Sequence, residues 1–274
     1  MTDLYAVMGN PINHSKSPQI HSEFAEQTSQ DIVYSAMQVP LDGFESAVKN
    51  FFTKSGKGLN ITVPFKEQAF KVADKLTIRA QTAQAVNTLI LQEDGTILGD
   101  NTDGAGLVGD LIKNHKVPLK GQRILVIGAG GAVRGILQPF LSEQPDSITV
   151  VNRTFEKAQI LAKSFNEFGN ISACEFDELN QPFDVIINGT SASLSGQLPP
   201  IPQCVIDENT VVYDMMYGKE LTPFLRWSQE NGAAKVLDGL GMLVGQAAVS
   251  FELWRNEQPD SQAVLLNMRK QLKS

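Results

Sequence analysis

The stretch that most constrains this chain is Ile124–Arg134, ILVIGAGGAVR. An apolar run of strand type passes without a polar break into Gly128-Ala129-Gly130-Gly131-Ala132-Val133, and an apolar pattern through Leu137 and Leu141 continues at helical spacing. A strand that turns through glycines into a helix leaves backbone N–H groups pointing outward at the helix N-terminus, where a pyrophosphate can bind. Gly128 supplies the tight turn, and Gly130 lets the backbone approach the ligand closely. Val133 stands where the dinucleotide pattern has its third glycine, so a side chain must pack between helix and strand. Parallel strands covered on both faces read as near-continuous Val/Ile runs, and further runs of this kind occur at Ile148–Val151, Ile171–Phe176, Val185–Ile187 and Val211–Tyr213. The expected architecture is a Rossmann-type doubly wound parallel sheet.

The end of the second of these strands decides the cofactor. An NAD site places a carboxylate there to accept hydrogen bonds from the adenosine ribose. Here the residues are Asn152-Arg153-Thr154, with Lys157 one helical turn further on. A guanidinium, a hydroxyl and an ammonium suit a 2′-phosphate, so the expectation is NADP.

A chain of 274 residues is long enough for two domains. Its 23 Lys and Arg against 30 Asp and Glu give a formal charge of −7 without long single-sign blocks, which argues against a nucleic-acid partner. Cys174 and Cys204 show no metal-ligand or redox spacing, which suggests a reducing, cytoplasmic setting. The opening residues MTDLYAVMG lack the pattern of a signal peptide, and the longest uncharged apolar stretch, Leu240–Phe251, is too short for a membrane span. His14, His21 and His115 are not spaced as metal ligands, and no metal is expected.

The residues before Asp103 alternate short strand-like runs with helical patterns and form one further α/β unit. Its strands are expected at Leu4–Met8, Val33–Val39, Leu59–Val63, Asn87–Leu91 and near Ile97, the last two joined by a turn at Asp94-Gly95. Ser17-Pro18 reads as an N-cap and first helical residue. The helices beyond Gly239 follow the last strand recognised and can return to this unit, so the expected division is residues 1–103 plus 240–274 for a discontinuous substrate domain and 104–239 for the cofactor domain. The Pro-rich stretch Ser191–Gln203 is expected to be an irregular loop.

The first unit carries polar residues that folding does not require. Ser15 and Ser17 lie just beyond the carboxyl end of the first strand, where ligands of open α/β sheets bind. Asn60 and Thr62 share one face of their strand by period two, with Ile61 and Val63 expected on the core face. Lys66 follows at the next helix start, where the positive end of the helix opposes its charge and favours proton exchange. Asp103, on the turn Gly99-Asp100-Asn101-Thr102-Asp103-Gly104, is a carboxylate able to orient that lysine.

The strings AVMGNPINHSKSP, LNITVPFKE, AVNTL, GDNTDGAG, VIGAGGAVRG, VVNRT and DGLGMLVGQAA occur in this order over almost the whole chain, which resembles the shikimate dehydrogenase family. The resemblance implies NADP-linked, reversible oxidation of the C3 hydroxyl of shikimate to 3-dehydroshikimate, a step of aromatic amino-acid biosynthesis. It implies that Ser15 and Ser17 bind the substrate carboxylate, that Asn60, Thr62, Asn87 and Gln246 hold the ring hydroxyls, and that Lys66 and Asp103 are the catalytic pair. On the cofactor side it implies Gly128, Ala129, Gly130, Gly131 and Ala132 at the turn; Asn152, Arg153, Thr154 and Lys157 at the adenosine phosphate; and Thr190, Met215 and Gly239 nearer the nicotinamide. Tyr217 is placed to reach both ligands and is counted with the substrate-binding residues. Lys157 stands where relatives often carry Arg, a change that loses bidentate phosphate geometry. The rival readings are a quinate/shikimate dehydrogenase using NAD or both cofactors, which should carry an acid after the second Rossmann strand, and a non-catalytic NADP-sensing or regulatory protein, which need not keep Lys66 and Asp103. Oligomeric state is not legible at this level.

Overall fold

A computed structural model describes residues 2–190, 192 and 196–273. The chain divides into two compact units, Met1–Gly106 with Val244–Asn267, and Leu107–Leu243 with Met268–Ser274.

The first unit runs β1 (Asp3–Gly9), α1 (Ser17–Thr28), β2 (Ile32–Gln38), α2 (Phe44–Thr53), β3 (Gly56–Ile61), α3 (Lys66–Val72), β4 (Lys75–Leu76), α4 (Ile78–Ala83), β5 (Thr88–Leu91) and β6 (Ile97–Asp100). The six strands form one mixed sheet in the order β2-β1-β3-β5-β6-β4. β1 lies parallel to β2 and β3, while β5 runs antiparallel to both β3 and β6. Alternation along β1 sends Ala6 and Met8 into the main core with Phe44, Val48, Leu59 and Phe65, and sends Tyr5 and Val7 to a smaller cluster with Ile12 and Tyr34. The two-residue β4 is too short to leave a periodic signal and has no counterpart in the sequence reading.

Two local expectations change. β3 ends at Ile61, and Val63, expected on the core face, is 63% exposed, because the chain leaves the sheet before Pro64. Ser17 is not the N-cap: Lys16 occupies that position without a side-chain cap, and Ser17 is already the first residue of α1. It is buried there, so tertiary packing outweighs capping propensity.

α5 (Asp103–Gly109) and a single π-helical turn, Asp110–Asn114, precede the second sheet. There follow β7 (Arg123–Ile127), α6 (Gly131–Ser142), β8 (Ser147–Val151), α7 (Phe155–Phe165), β9 (Ile171–Ala173), β10 (Val185–Asn188), β11 (Val211–Asp214), α8 (Pro223–Glu230) and β12 (Lys235–Asp238). α9 (Leu240–Arg255) and α10 (Ser261–Lys273) end the chain. All six strands are parallel in the order β12-β11-β10-β7-β8-β9, which is the doubly wound order 3-2-1-4-5-6 read from the other edge. Ile124 and Val126 of β7 enter one core, with Val133 and Leu137 of α6, while Leu125 and Ile127 enter the other, with Phe224 and Leu225 of α8. This two-sided burial is the physical reason for the unbroken Val/Ile runs.

β12 escaped the sequence reading, since its four residues KVLD hold only two apolar positions. The residues from Met268 onward belong to the second unit instead of the first, and Arg269 explains this by clasping both oxygens of Asp238 at 2.5 Å. β9 stops at Ala173, after which Phe176–Glu178 form a 3₁₀ turn. Of the expected loop 191–203, residues 191 and 193–195 lie outside the described residues; 197–202 have no regular structure.

Candidate active site

The polar residues of the first unit gather at the carboxyl ends of its parallel strands and at the starts of α3 and α5. Lys66 is the first residue of α3, and its Nζ donates to Asp103 Oδ2 at 2.5 Å. The side chains retain 27% and 9% exposure, so the pair is sheltered with the lysine still reachable. Asn87 Nδ2 donates to the other carboxylate oxygen, Asp103 Oδ1, at 2.8 Å, and to Thr102 Oγ1 at 3.0 Å. Asn87 Oδ1 accepts from the Thr102 N–H and from the Thr88 hydroxyl, both at 2.9 Å. Gln246, on α9, brings its Oε1 within 3.4 Å of Asn87 Nδ2. Lys66, Asn87, Asp103 and Gln246, brought from three helices and the residue before β5, therefore form one constellation.

A second carboxylate on the same turn has a different use. Asp100 receives two bonds from Arg79, Nε to Oδ1 at 2.7 Å and Nη2 to Oδ2 at 2.6 Å, and one from Thr77 Oγ1 at 2.6 Å. Burial is the largest influence and opposes its charge, but the hydrogen bonds and charge of Arg79, with those from Thr77 and the Asn101 N–H, together hold its carboxyl below the usual value. Asp100 locks the turn that presents Asp103. Sequence alone could not tell the two acids apart.

Ser15 and Ser17 stand together before α1, with Ser15 Oγ accepting the Ser17 N–H at 3.3 Å. Thr62 is half-buried directly after β3. Asn60, expected to hold a substrate hydroxyl, is instead committed to the protein. It is 5% exposed; its Oδ1 accepts from Tyr34 Oη at 2.7 Å and lies 3.1 Å from His21 Nε2, while its Nδ2 approaches Ser250 Oγ, Thr88 Oγ1 and the Asn87 carbonyl at 3.1 to 3.2 Å. Apart from the Asn87 carbonyl, its partners lie outside the constellation around Lys66, whereas the equally engaged Asn87 amide bonds Asp103 and Gln246 within it. His21 is likewise structural: fully buried, stacked on Tyr34 at 4.2 Å, and pushed down to about 3 by burial.

In the second unit a cavity of about 610 Å³ opens at the carboxyl ends of β7 and β10, the point where the strand order reverses. It is lined by Gly128, Ala129, Gly130, Asn152, Arg153, Thr154, Lys157 and Thr190. Gly128 has φ +114°, which an L side chain rarely adopts. Nothing lies within 4 Å of the place where a Cβ on Gly130 or Gly131 would project, so the N-terminus of α6 faces open space. Arg153 and Lys157 carry no ion pair among the described residues, although Glu156, Glu175 and Asp177 share a smaller lobe with Arg153. Open N–H groups and two uncommitted cations fit a phosphorylated dinucleotide.

Thr190, Met215 and Gly239 lie at the ends of β10, β11 and β12. Asn188 and Asp214, both fully buried, set this edge: Asn188 Oδ1 accepts from the Thr190 hydroxyl at 2.8 Å, and Asp214 Oδ1 accepts from the Met216 N–H at 3.1 Å. A Cβ on Gly239 would overlap the Met215 carbonyl, so only glycine permits this approach. Tyr217 follows β11 half-buried, with its phenol raised by burial and by the charge of Asp238. Asn188, Asp214 and the cavity-lining Phe176 were not singled out from sequence; a polar residue at the last position of an otherwise apolar strand was the signal for the first two. Among the described residues, no group of His, Cys, Asp or Glu is arranged to hold a metal ion, and no helix is long and apolar enough to cross a membrane.

Three family patterns match the chain: the shikimate dehydrogenase substrate binding domain over residues 7–89, shikimate / quinate 5-dehydrogenase over 110–195, and the shikimate 5′-dehydrogenase C-terminal domain over 239–265. The shikimate dehydrogenase (NADP(+)) of Alkalilimnicola ehrlichii is 57% identical over 269 residues, covering 98% of this chain and 99% of the relative. That of Psychromonas ingrahamii is 58% identical over 270 residues, with 98% and 99% covered. Among solved structures, the Ael1 enzyme from Pseudomonas putida superposes with a TM-score of 0.94 at 44% identity, covering 100% of this chain and 99% of that one. The shikimate 5-dehydrogenase of Thermus thermophilus, solved in complex with NADP(H) and shikimate, superposes with a TM-score of 0.88 at 31% identity, covering 98% and 99%. With matched patterns at both ends and in the middle, and relatives identical at more than half of nearly all positions, this chain belongs to the shikimate dehydrogenase family.

Proposed function

We propose that this protein catalyses the NADP-dependent, reversible reduction of 3-dehydroshikimate to shikimate, with Lys66 and Asp103 handling the proton. The observation that carries this reading is the 2.5 Å contact between Lys66 Nζ and Asp103 Oδ2, an ion pair kept partly open to solvent. When bound, NADP supplies the hydride chemistry. Gly128, Gly130 and the start of α6 hold its pyrophosphate, and Arg153 and Lys157 its 2′-phosphate. Thr190, Met215 and Gly239 border the nicotinamide end. Ser15 and Ser17 bind the substrate carboxylate, while Thr62, Asn87 and Gln246 orient the ring hydroxyls.

In the oxidising direction the pair receives the proton of the C3 hydroxyl, and in the reducing direction it returns one. Asn87 fixes the carboxylate from one side and Lys66 from the other, so the groups that move the proton are oriented before substrate arrives. A cytoplasmic location, consistent with two unpaired cysteines, is part of the same reading. The test is a steady-state assay with shikimate and quinate, each with NADP+ and NAD+. Turnover should be highest by far with shikimate and NADP+; preference for quinate or for NAD+ would overturn the substrate or the cofactor assignment respectively.

A further inference from the structure

We infer that Thr88 is a positioning residue, whose hydroxyl sets the orientation of Asn87 and through it the catalytic carboxylate of Asp103. This rests on the reading of Lys66 and Asp103 as the proton-handling pair.

Thr88 is the first residue of β5 and has no exposed surface. Its Oγ1 lies 2.9 Å from Asn87 Oδ1, 2.8 Å from Ser250 Oγ and 3.2 Å from Asn60 Nδ2. The direction of these bonds follows from counting protons. Asn60 Nδ2 can only donate and Asn87 Oδ1 can only accept, so Thr88 is the donor in its 2.9 Å contact with Asn87, while the Ser250 hydroxyl, which also reaches the Gln246 carbonyl at 3.0 Å, can take either part. The single Thr88 proton then goes to Asn87 Oδ1. That Asn87 atom must be the oxygen, because the backbone N–H of Thr102 also points at it from 2.9 Å. With its oxygen so engaged, the amide turns Nδ2 toward Asp103 Oδ1, which leaves Oδ2 to Lys66.

The same bonds extend further into the first unit. Tyr34 donates to Asn60 Oδ1 at 2.7 Å. One buried polar chain therefore joins Tyr34, Asn60, Thr88, Asn87 and Asp103. Thr88 is its last member before the Asn87 amide, and Thr88→Val keeps its shape while removing its proton.

Thr88→Val retains the volume and deletes the hydroxyl, and Thr88→Ser does the reverse. The expected result for Thr88→Val is a fall in kcat for shikimate oxidation of about tenfold, the rate equivalent of one ordinary hydrogen bond. KM for NADP+ should stay unchanged, KM for shikimate should move less than about threefold, and Thr88→Ser should restore kcat. Should Thr88→Val fail to give folded protein by circular dichroism, Thr88→Ala measured against Thr88→Ser makes the same comparison. Equal kcat in the hydroxyl-bearing and hydroxyl-lacking variants overturns the inference. Lys66→Met measured alongside separates the two levels: if it retains kcat, the catalytic reading itself is wrong, whereas loss in Lys66→Met with none in Thr88→Val overturns only the role of Thr88.

Discussion

The two ligand-binding regions of this chain treat charge in opposite ways. In the first unit the functional groups are sheltered and bonded to one another: Lys66 to Asp103, Asp103 to Asn87, and Asn87 to Thr88 and Thr102. In the second, Arg153 and Lys157 are exposed and unpaired among the described residues, beside a helix N-terminus that faces open space. A proton-transfer site gains from groups held in place before substrate binds, because their ordering cost is met during folding. A site for a mobile, highly charged cofactor gains from cations that have no internal partner to give up.

The comparison breaks most sharply at Lys66. Lys66→Met should lower kcat by about 10² to 10⁴ with a modest change in shikimate KM, and Asp103→Asn should damage both terms. Near wild-type kcat with only KM raised would make Lys66 a binding residue. At the opposite region Arg153→Ala should weaken NADP binding by about 1.5 to 3 kcal/mol and leave NAD binding nearly unchanged. Titration calorimetry with both cofactors decides, and equal losses would remove the 2′-phosphate assignment.

The sheltered region should also carry a pH signature. His21 takes a proton near 6.5 in the unfolded chain but only near 3 when folded, so acid favours the unfolded chain. Its contribution is complete above about pH 6.5 and declines by about 1.4 kcal/mol per unit as pH falls toward 3. Between pH 6.5 and 5 this amounts to about 2 kcal/mol, which urea unfolding of wild type and His21→Gln should show as a steeper acid loss in the wild type. An identical pH dependence in the two proteins would contradict the burial account. The smallest effect belongs to the serines. Both Ser15→Ala and Ser17→Ala should raise shikimate KM, and Ser17→Ala, at a buried position, should also cost about 1 kcal/mol of stability. Thermal melts measured beside KM values test both halves.

The two regions also differed in legibility. The cofactor region was readable because its signal is contiguous: a strand, a glycine turn and a helix start within Arg123–Ser142, then Asn152-Arg153-Thr154 at the next strand end. The substrate region was readable mainly through motif resemblance, because its partners lie far apart in the chain. Lys66 and Asp103 are 37 residues apart, and Asn60 and Ser250 are 190 apart. Asn60 and Thr62 alternate correctly on the strand, yet period two could not reveal that Tyr34, Thr88 and Ser250 would occupy the Asn60 amide. Nor could it distinguish Asp100, held by Arg79, from Asp103, held by Lys66.

What the amino-acid order determined by itself is local: the runs that must be buried on both faces, the turn only glycine can make at Gly128, and the absence of an acid after β8. These follow from steric limits and side-chain chemistry within a few residues, which act before any tertiary contact forms. The tertiary structure decided which polar groups remain available to a ligand. That depends on hydrogen-bond partners arriving from distant elements, and a buried donor or acceptor is used by whichever partner the packed fold brings to it first.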